Sequence, residues 1–174
     1  MWFTSMKHCF YLTSMLFLSL IMVSPAQAAK AKAYQNTEIG CMGQAIFYEA
    51  AGEPYQGQVA VANVIFNRMS SGIYPRTVCG VIRERGQFQW VNNHKLRKKR
   101  VYHATKRDKR IHNLASKLYR QYKSGKRHDI THGSLFFSSN GIRPAPRAVK
   151  SVKIGRHQFF TLRKFKFNKN RKLA

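Results

Sequence analysis

The stretch that decides the fold is "EIGCMGQAIFYEAAGEPYQGQVAVANVIFNRMSSG", residues 38–72. Ile39, Met42, Ile46 and Ala50 recur at helical spacing and form one apolar stripe. Asn36 or Thr37 can cap the start, and the pattern runs to about Ala51. Gly52 then suits a helix stop, and Pro54 suits the first turn of the next helix. That second helix spans about residues 54–70, turns Val59, Ala62, Ile65, Phe66 and Met69 inward, and ends at Gly72. So short a link makes the two helices a tight hairpin.

Downstream, a loop through Pro75 leads to a short helix near residues 77–85. "GQFQWV", residues 86–91, reads as extended. A third long helix fits residues 107–123, with Ile111, Leu114, Ala115, Leu118 and Tyr122 on one side and Gly125 closing it. Beyond Asp129 the period changes. "SLFFSS" (134–139) and "VKIGRHQFFTL" (152–162) read as strands, with Gly155 and Arg156 as a hairpin turn. Helices first and a small antiparallel sheet last predict an α+β domain. There is no internal repeat.

Upstream, Lys7 and His8 precede an apolar run from Cys9 to Val23, followed by Ala26-Gln27-Ala28. That is the layout of a signal peptide over residues 1–28, with an uncleaved anchor as the alternative. The run is short for a membrane span, which needs about 20 residues. Residues 29–37 read as a mobile lead. Secretion places the protein in the periplasm or cell wall and leaves Cys41 and Cys79 in an oxidising compartment, where they are expected to form a disulfide. Two free buried thiols are the alternative; no CxxC spacing accompanies them to suggest zinc.

Lys and Arg number 32 against six Asp and Glu, a formal charge of +26. The basic residues crowd the second half: "KLRKKR" (95–100), "KRDKR" (106–110) and the tail "RKFKFNKNRK" (163–172). Such a surface seeks polyanions. Inside a cell that would mean nucleic acid. Beyond the inner membrane it means anionic cell-envelope polymers and lipid surfaces, so nucleic acid is not the expected partner.

Against that background an acid directly after Ile46-Phe47-Tyr48 stands out. Glu49 falls on the margin of the apolar stripe and in the last turn of its helix, where the macrodipole disfavours negative charge. Partial desolvation and the helix end both raise a carboxyl pKa. A carboxylic acid still protonated near neutral pH is what a glycosidic oxygen needs in order to leave. A surface glutamate at a helix end is the bland alternative, and Glu53, between Gly52 and Pro54, fits it better.

Residues 41–82, "CMGQAIFYEAAGEPYQGQVAVANVIFNRMSSGIYPRTVCGVI", strongly resemble the cell wall hydrolase family of the spore cortex-lytic enzymes. The family pattern pairs a helix ending in Tyr-x-Glu-Ala with Gly-Glu-Pro, then Gly-Gln-x-Ala-Val-Ala-x-Val-x-x-Asn-Arg. "QFQW" (87–90), "DITHGSLFF" (129–137) and "KIGRHQFF" (153–160) are similar to its later elements. The resemblance covers about residues 38–162, leaving 163–174 as a basic tail. It implies a peptidoglycan-cleaving domain with a reduced lysozyme-like fold and Glu49 as catalytic acid. The chain departs from the pattern at Phe136, Phe137 and Ser138, where the family often has a His, and at "RPAPR" (143–147), where a Trp is common.

A two-carboxylate glycosidase needs a second Asp or Glu about 5–9.5 Å away. Glu38 lies upstream on the same helix, Glu53 follows the helix stop, and Glu84, Asp108 and Asp129 are distant in sequence. Asp129 suits a turn cap through Thr131 as readily as a site. This scarcity favours a single-glutamate mechanism, lytic transglycosylation between N-acetylmuramic acid and N-acetylglucosamine, which calls for no metal or cofactor. Muramidase-type hydrolysis of the same bond is the close variant. Gln87, Phe88, Trp90 and His132 are the expected substrate contacts, with Trp90 offering a stacking face. Core packing is the alternative for the two aromatics, and His157, Asn67 and Arg68 are expected to hold the fold. Two rivals remain from other classes: a non-catalytic, basic wall-binding protein, and a secreted protein that binds nucleic acid or anionic lipid.

Overall fold

The computed structural model describes residues 33–34, 36–93, 105–139, 142–145 and 147–162. The segment 1–28 expected to be a signal peptide, the start of the lead, the basic run 95–100 and the tail 163–174 lie outside the described residues. Five helices precede a three-stranded antiparallel sheet among the residues described. They are α1 (Glu38–Ala50), α2 (Tyr55–Ser71), α3 (Val78–Arg83), α4 (Gln89–Asn92) and α5 (Lys106–Lys123). The strands are β1 (Phe136–Ser138), β2 (Ala148–Ile154) and β3 (His157–Leu162), in the order β1-β3-β2.

The helical hairpin forms as the stretch predicts. Thr37 caps α1, its hydroxyl accepting from Gly40 N at 3.0 Å. Just ahead, the Tyr34 hydroxyl hydrogen-bonds His112 Nδ1 on α5. Gly72 closes α2 in the left-handed conformation at φ 80°. The α1 stripe of Met42, Ala45 and Ile46 packs with Ile65 and Phe66 of α2 and with Ile111, Leu114, Ala115 and Leu118 of α5. A capping box, Thr105 with Asp108, starts α5.

One feature exceeds the periodic reading. The sequence pattern predicts one buried face on α2, but every residue from Val59 to Met69 is buried. The reason is position: α2 has helices on one side and, on the other, a cluster of Ala60 and Val64 with Phe159 of the sheet. A helix apolar nearly all round is the mark of such a central element. Its buried asparagines are accordingly partnered. Asn63 Nδ2 donates to His128 O at 3.2 Å, and Asn67 Nδ2 donates to Asp129, Thr131 and Ser134 at 3.0–3.1 Å.

Cys41 and Cys79 form the expected disulfide, with Cα atoms 5.3 Å apart. Closing a loop of 38 residues is worth roughly 3–4 kcal/mol on the chain-entropy model. Glu38 reinforces the same junction by accepting from Val78 N at 2.6 Å and Cys79 N at 3.4 Å, at the start of α3.

The segment "GQFQWV" is not extended. Residues 89–92 form α4, with Val91 N bonding Phe88 O at 3.1 Å and Asn93 N bonding Trp90 O at 3.2 Å. No strand pairs with this segment, and local turns satisfy backbone groups that an unpaired strand would leave open. The two C-terminal strands pair through Gly155 and Arg156 as predicted, with Ile154 opposite His157 and Gly155 at φ 59°. The strand around 134–139 is shorter than read and joins β3, Phe136 opposite Phe160.

Candidate active site

All six acidic residues of the chain are described, so each can be followed to its partners. Glu38 is bound to the start of α3. Asp108 is bound in its capping box. Asp129 accepts from Thr131 N at 2.9 Å, Thr131 Oγ1 at 2.6 Å, Gly133 N at 2.7 Å and Asn67 Nδ2 at 3.0 Å, which makes it the organiser of the turn before β1. These hydrogen bonds hold its pKa below the ordinary value although burial opposes them.

Glu53 is 7% exposed and locked to the β2–β3 turn. Its Oε1 pairs with Arg156 Nε at 2.6 Å and its Oε2 accepts from Arg156 N at 2.9 Å. The backbone bond, then the side-chain bond, lowers its pKa. Glycine at 155 is required there, because a Cβ would lie 2.1 Å from Glu53 Oε2. Glu53 therefore fastens the helical corner to the sheet.

Two acids are left, Glu49 and Glu84. Glu49 occupies the last turn of α1 and is half-buried. Burial raises its pKa from 4.5 and outweighs two influences that lower it, the Trp90 indole and the positive charge of Arg68. The Trp90 Nε1 is buried without a hydrogen bond of normal geometry, yet it stands close enough to favour the Glu49 carboxylate.

Arg68 comes from the end of α2 and is only 4% exposed. Its Nε donates to Leu135 O at 2.8 Å. Its guanidinium lies 5.2 Å from the Tyr74 ring centroid, 5.5 Å from that of Phe88 and 5.8 Å from that of Phe136. Its Nη1 is buried without a partner among the described residues. A buried cation caged by aromatic rings, with one donor left open beside a neutral-leaning carboxyl, is an arrangement suited to proton transfer.

The sequence-predicted contacts separate on inspection. Trp90 is 7% exposed and stacks on Tyr48 at 4.6 Å, so it has no open face for a sugar ring. Phe88 is buried against Arg68 and Trp90. Of the two, Trp90 acts on the Glu49 carboxyl directly, and Phe88 packs against Arg68 and Trp90. Gln87 is half-exposed in the turn before them. His132 is exposed at φ 54°, in the turn that Asp129 organises. His157 is buried between Phe137 and Phe159, as a structural histidine.

Sequence reasoning gave Arg68 only a structural duty, set Glu84 aside as distant in sequence, took Phe136 only as a departure from the family pattern, and passed over Tyr74. The available signal was the "NR" that ends α2: Arg68 falls just past the Phe66 turn and three turns beyond Gly57, on a helix with no exposed face between Val59 and Met69. A cation there must be buried, and a buried cation needs partners.

A family model described as Cell Wall Hydrolase matches residues 52–160. The match begins just past Glu49. The spore cortex-lytic enzyme of Bacillus subtilis is 45% identical over an alignment of 69 residues that covers 35% of this chain and 23% of that protein. That of Oceanobacillus iheyensis is 55% identical over 51 residues, 29% of this chain and 18% of that protein. The chain thus spans only about a fifth of the length of these curated relatives. Among solved structures, the catalytic domain of the germination-specific lytic transglycosylase SleB from Bacillus anthracis matches with a TM-score of 0.54 and 30% identity, over 74% of this chain and 97% of that domain. The catalytic domain of the Bacillus cereus SleB protein matches at 0.53 and 30%, over 71% and 89%. With this coverage and the family match running from α2 through the short helices and α5 into the sheet, the chain belongs to the cell wall hydrolase family.

Proposed function

We propose that the protein cleaves peptidoglycan glycan strands between N-acetylmuramic acid and N-acetylglucosamine by lytic transglycosylation, with Glu49 as the single proton-transfer residue. The observation that carries this reading is the half-buried Glu49, biased toward its acid form by desolvation, while four of the other five acids are bound elsewhere in the fold. The lytic transglycosylase named among the structural neighbours supports the same class of reaction.

The Glu49 carboxyl gives its proton to the glycosidic oxygen as the bond from the muramyl C1 breaks. The neighbouring acetamido oxygen stabilises the electron-poor C1, as in substrate-assisted enzymes. Glu49, now a carboxylate, takes the proton from the muramyl 6-hydroxyl as that oxygen closes on C1. The product is a 1,6-anhydro end, no water is consumed, and the acid is regenerated. Arg68 and the Trp90 indole stabilise the carboxylate between the two transfers. Hydrolysis of the same bond is the second reading, and Glu84 favours it as the other acid whose side chain makes no structural hydrogen bond among the described residues.

The basic surface fits anionic cell-envelope polymers, and action outside the inner membrane, in the periplasm or wall, fits the signal-like N-terminus. Purified protein on purified peptidoglycan tests the proposal. Release of soluble fragments with anhydro ends by mass spectrometry is the expected result. Reducing ends would select hydrolysis, and binding without release would make the protein a wall-binding module.

A further inference from the structure

A cleft of about 610 Å³ opens between the corner that joins α1 to α2 and the first three turns of α5. Glu49, Arg68 and Trp90 do not line it, so it is separate from the candidate active site. Ile111 and Leu114, which belong to the core, form its base. Arg107, Arg110 and Lys117 line it too, and all three are exposed. Positions 107, 110, 114 and 117 follow one another by three or four residues and so share one face of α5. At the helical rise per residue, the three cations are spread along about 15 Å of that face.

Among the described residues none of the three cations is held in an ion pair. The acid in the lining, Glu53, has both oxygens engaged by Arg156. The cations of α5 are thus left without a counter-charge in the cleft, and its ligand is anionic.

The remaining lining narrows the ligand further. Gln58 and Asn113 bring side-chain amides, and Tyr55, 57% exposed, brings an aromatic ring. Gln58 Nε2 donates to Glu53 O at 3.1 Å, which fixes that amide at the wall. Amides pair with peptide groups, and guanidinium and ammonium groups pair with carboxylates. A lone inorganic anion needs one guanidinium and leaves the rest of this length unused. A polyol phosphate would meet the cations and have no use for the amides or the apolar base. An extended peptide covers about 15 Å with roughly four residues.

We infer that this cleft binds the acidic peptide stems of peptidoglycan, apart from the glycan bond that is cleaved. The stems carry carboxylates along short peptides of small residues, which match the cations, the amides and the apolar base. The inference deepens the proposed function, since it rests on peptidoglycan as the substrate, but it does not depend on the role of Glu49.

Isothermal titration with muramyl tetrapeptide tests it, because that probe has no glycosidic bond to cleave. Two triple variants are compared with wild type: Arg107→Ala with Arg110→Ala and Lys117→Ala in the cleft, and Lys123→Ala with Lys150→Ala and Lys153→Ala away from it. All six positions are exposed, and the charge removed is the same. Wild type and the distant variant are expected to bind alike, while the cleft variant loses about tenfold. The side-chain amide signals of Gln58 and Asn113 should move in NMR spectra of wild type as the probe is added. A probe with amidated carboxylates should also bind wild type about tenfold more weakly, a readout that needs no variant. Full affinity in the cleft variant, or equal loss in both variants, overturns the inference. So does a glycerol phosphate oligomer that moves the same amide signals while the tetrapeptide does not. Peptide binding as expected by a protein that releases nothing from peptidoglycan leaves the cleft standing and removes the proposed function. Anhydro fragments released by a protein that ignores the tetrapeptide do the reverse.

Discussion

Glu49 and Glu53 sit one helical turn apart in sequence and live in opposite surroundings. Glu49 closes α1 beside a caged cation with which it makes no ion pair within 4 Å, and burial raises its pKa. Glu53 turns the corner, grips Arg156 with both oxygens, and has its pKa lowered. The residue type is the same and the exposure of both is restricted. What differs is whether hydrogen bonds to the charged form repay the loss of water. Where they do, the acid is a clamp; where they do not, it is poised to exchange a proton.

Four experiments break or sharpen that contrast, the strongest effect first. Glu49→Gln keeps shape and removes the transferable proton, so fragment release should drop by about 10²–10⁴-fold with the circular dichroism spectrum unchanged. Gly155→Ala should attack the other region: a Cβ 2.1 Å from Glu53 Oε2 at φ 59° costs roughly 3 kcal/mol through strain and lost charge-assisted bonds, read as a lower midpoint in urea. Glu53→Gln should be milder, about 1–3 kcal/mol, because Arg156 is largely exposed and regains water; residual activity per folded molecule should stay near wild type. Equal loss of activity in Glu49→Gln and Glu53→Gln would erase the distinction between them.

The smallest effect is a difference of sign with pH. The folded pKa of Glu49 lies above 4.5, so its contribution to stability is full below that value and is lost as pH rises through the folded pKa. The Glu49→Gln variant should therefore gain on wild type across that window in thermal melts. For Glu53 the folded pKa lies below 4.5; its contribution is present above that value and is lost as pH falls through the folded pKa. The deficit of Glu53→Gln should accordingly close on acidification. Parallel curves for the two variants would contradict the assigned surroundings.

Much of this was legible in the chain. The helical hairpin followed from the spacing of Ile39, Met42 and Ile46 and from the glycines at 52 and 72, because periodicity and backbone stops are local properties. The cysteine pair and the C-terminal hairpin were legible for similar reasons. The segment holding Phe88 and Trp90 was misread, since apolar residues at alternate positions suit a strand only where a neighbour offers hydrogen bonds. The sugar-stacking role of Trp90 gave way with it: the indole is packed under Tyr48. Glu84 was set aside as distant in sequence because nothing local distinguishes an acid at the end of a six-residue helix.

By itself the sequence determined the α+β order of elements, the family, and Glu49 as the acid to watch, all of which depend on spacing and residue type along the chain. Only the tertiary structure decided which acids are spent on holding the fold and which two remain beside Arg68. The physical reason is that a carboxyl's protonation is set by water excluded and charges approached through space, and those neighbours come from α1, α2, α3 and α4 together.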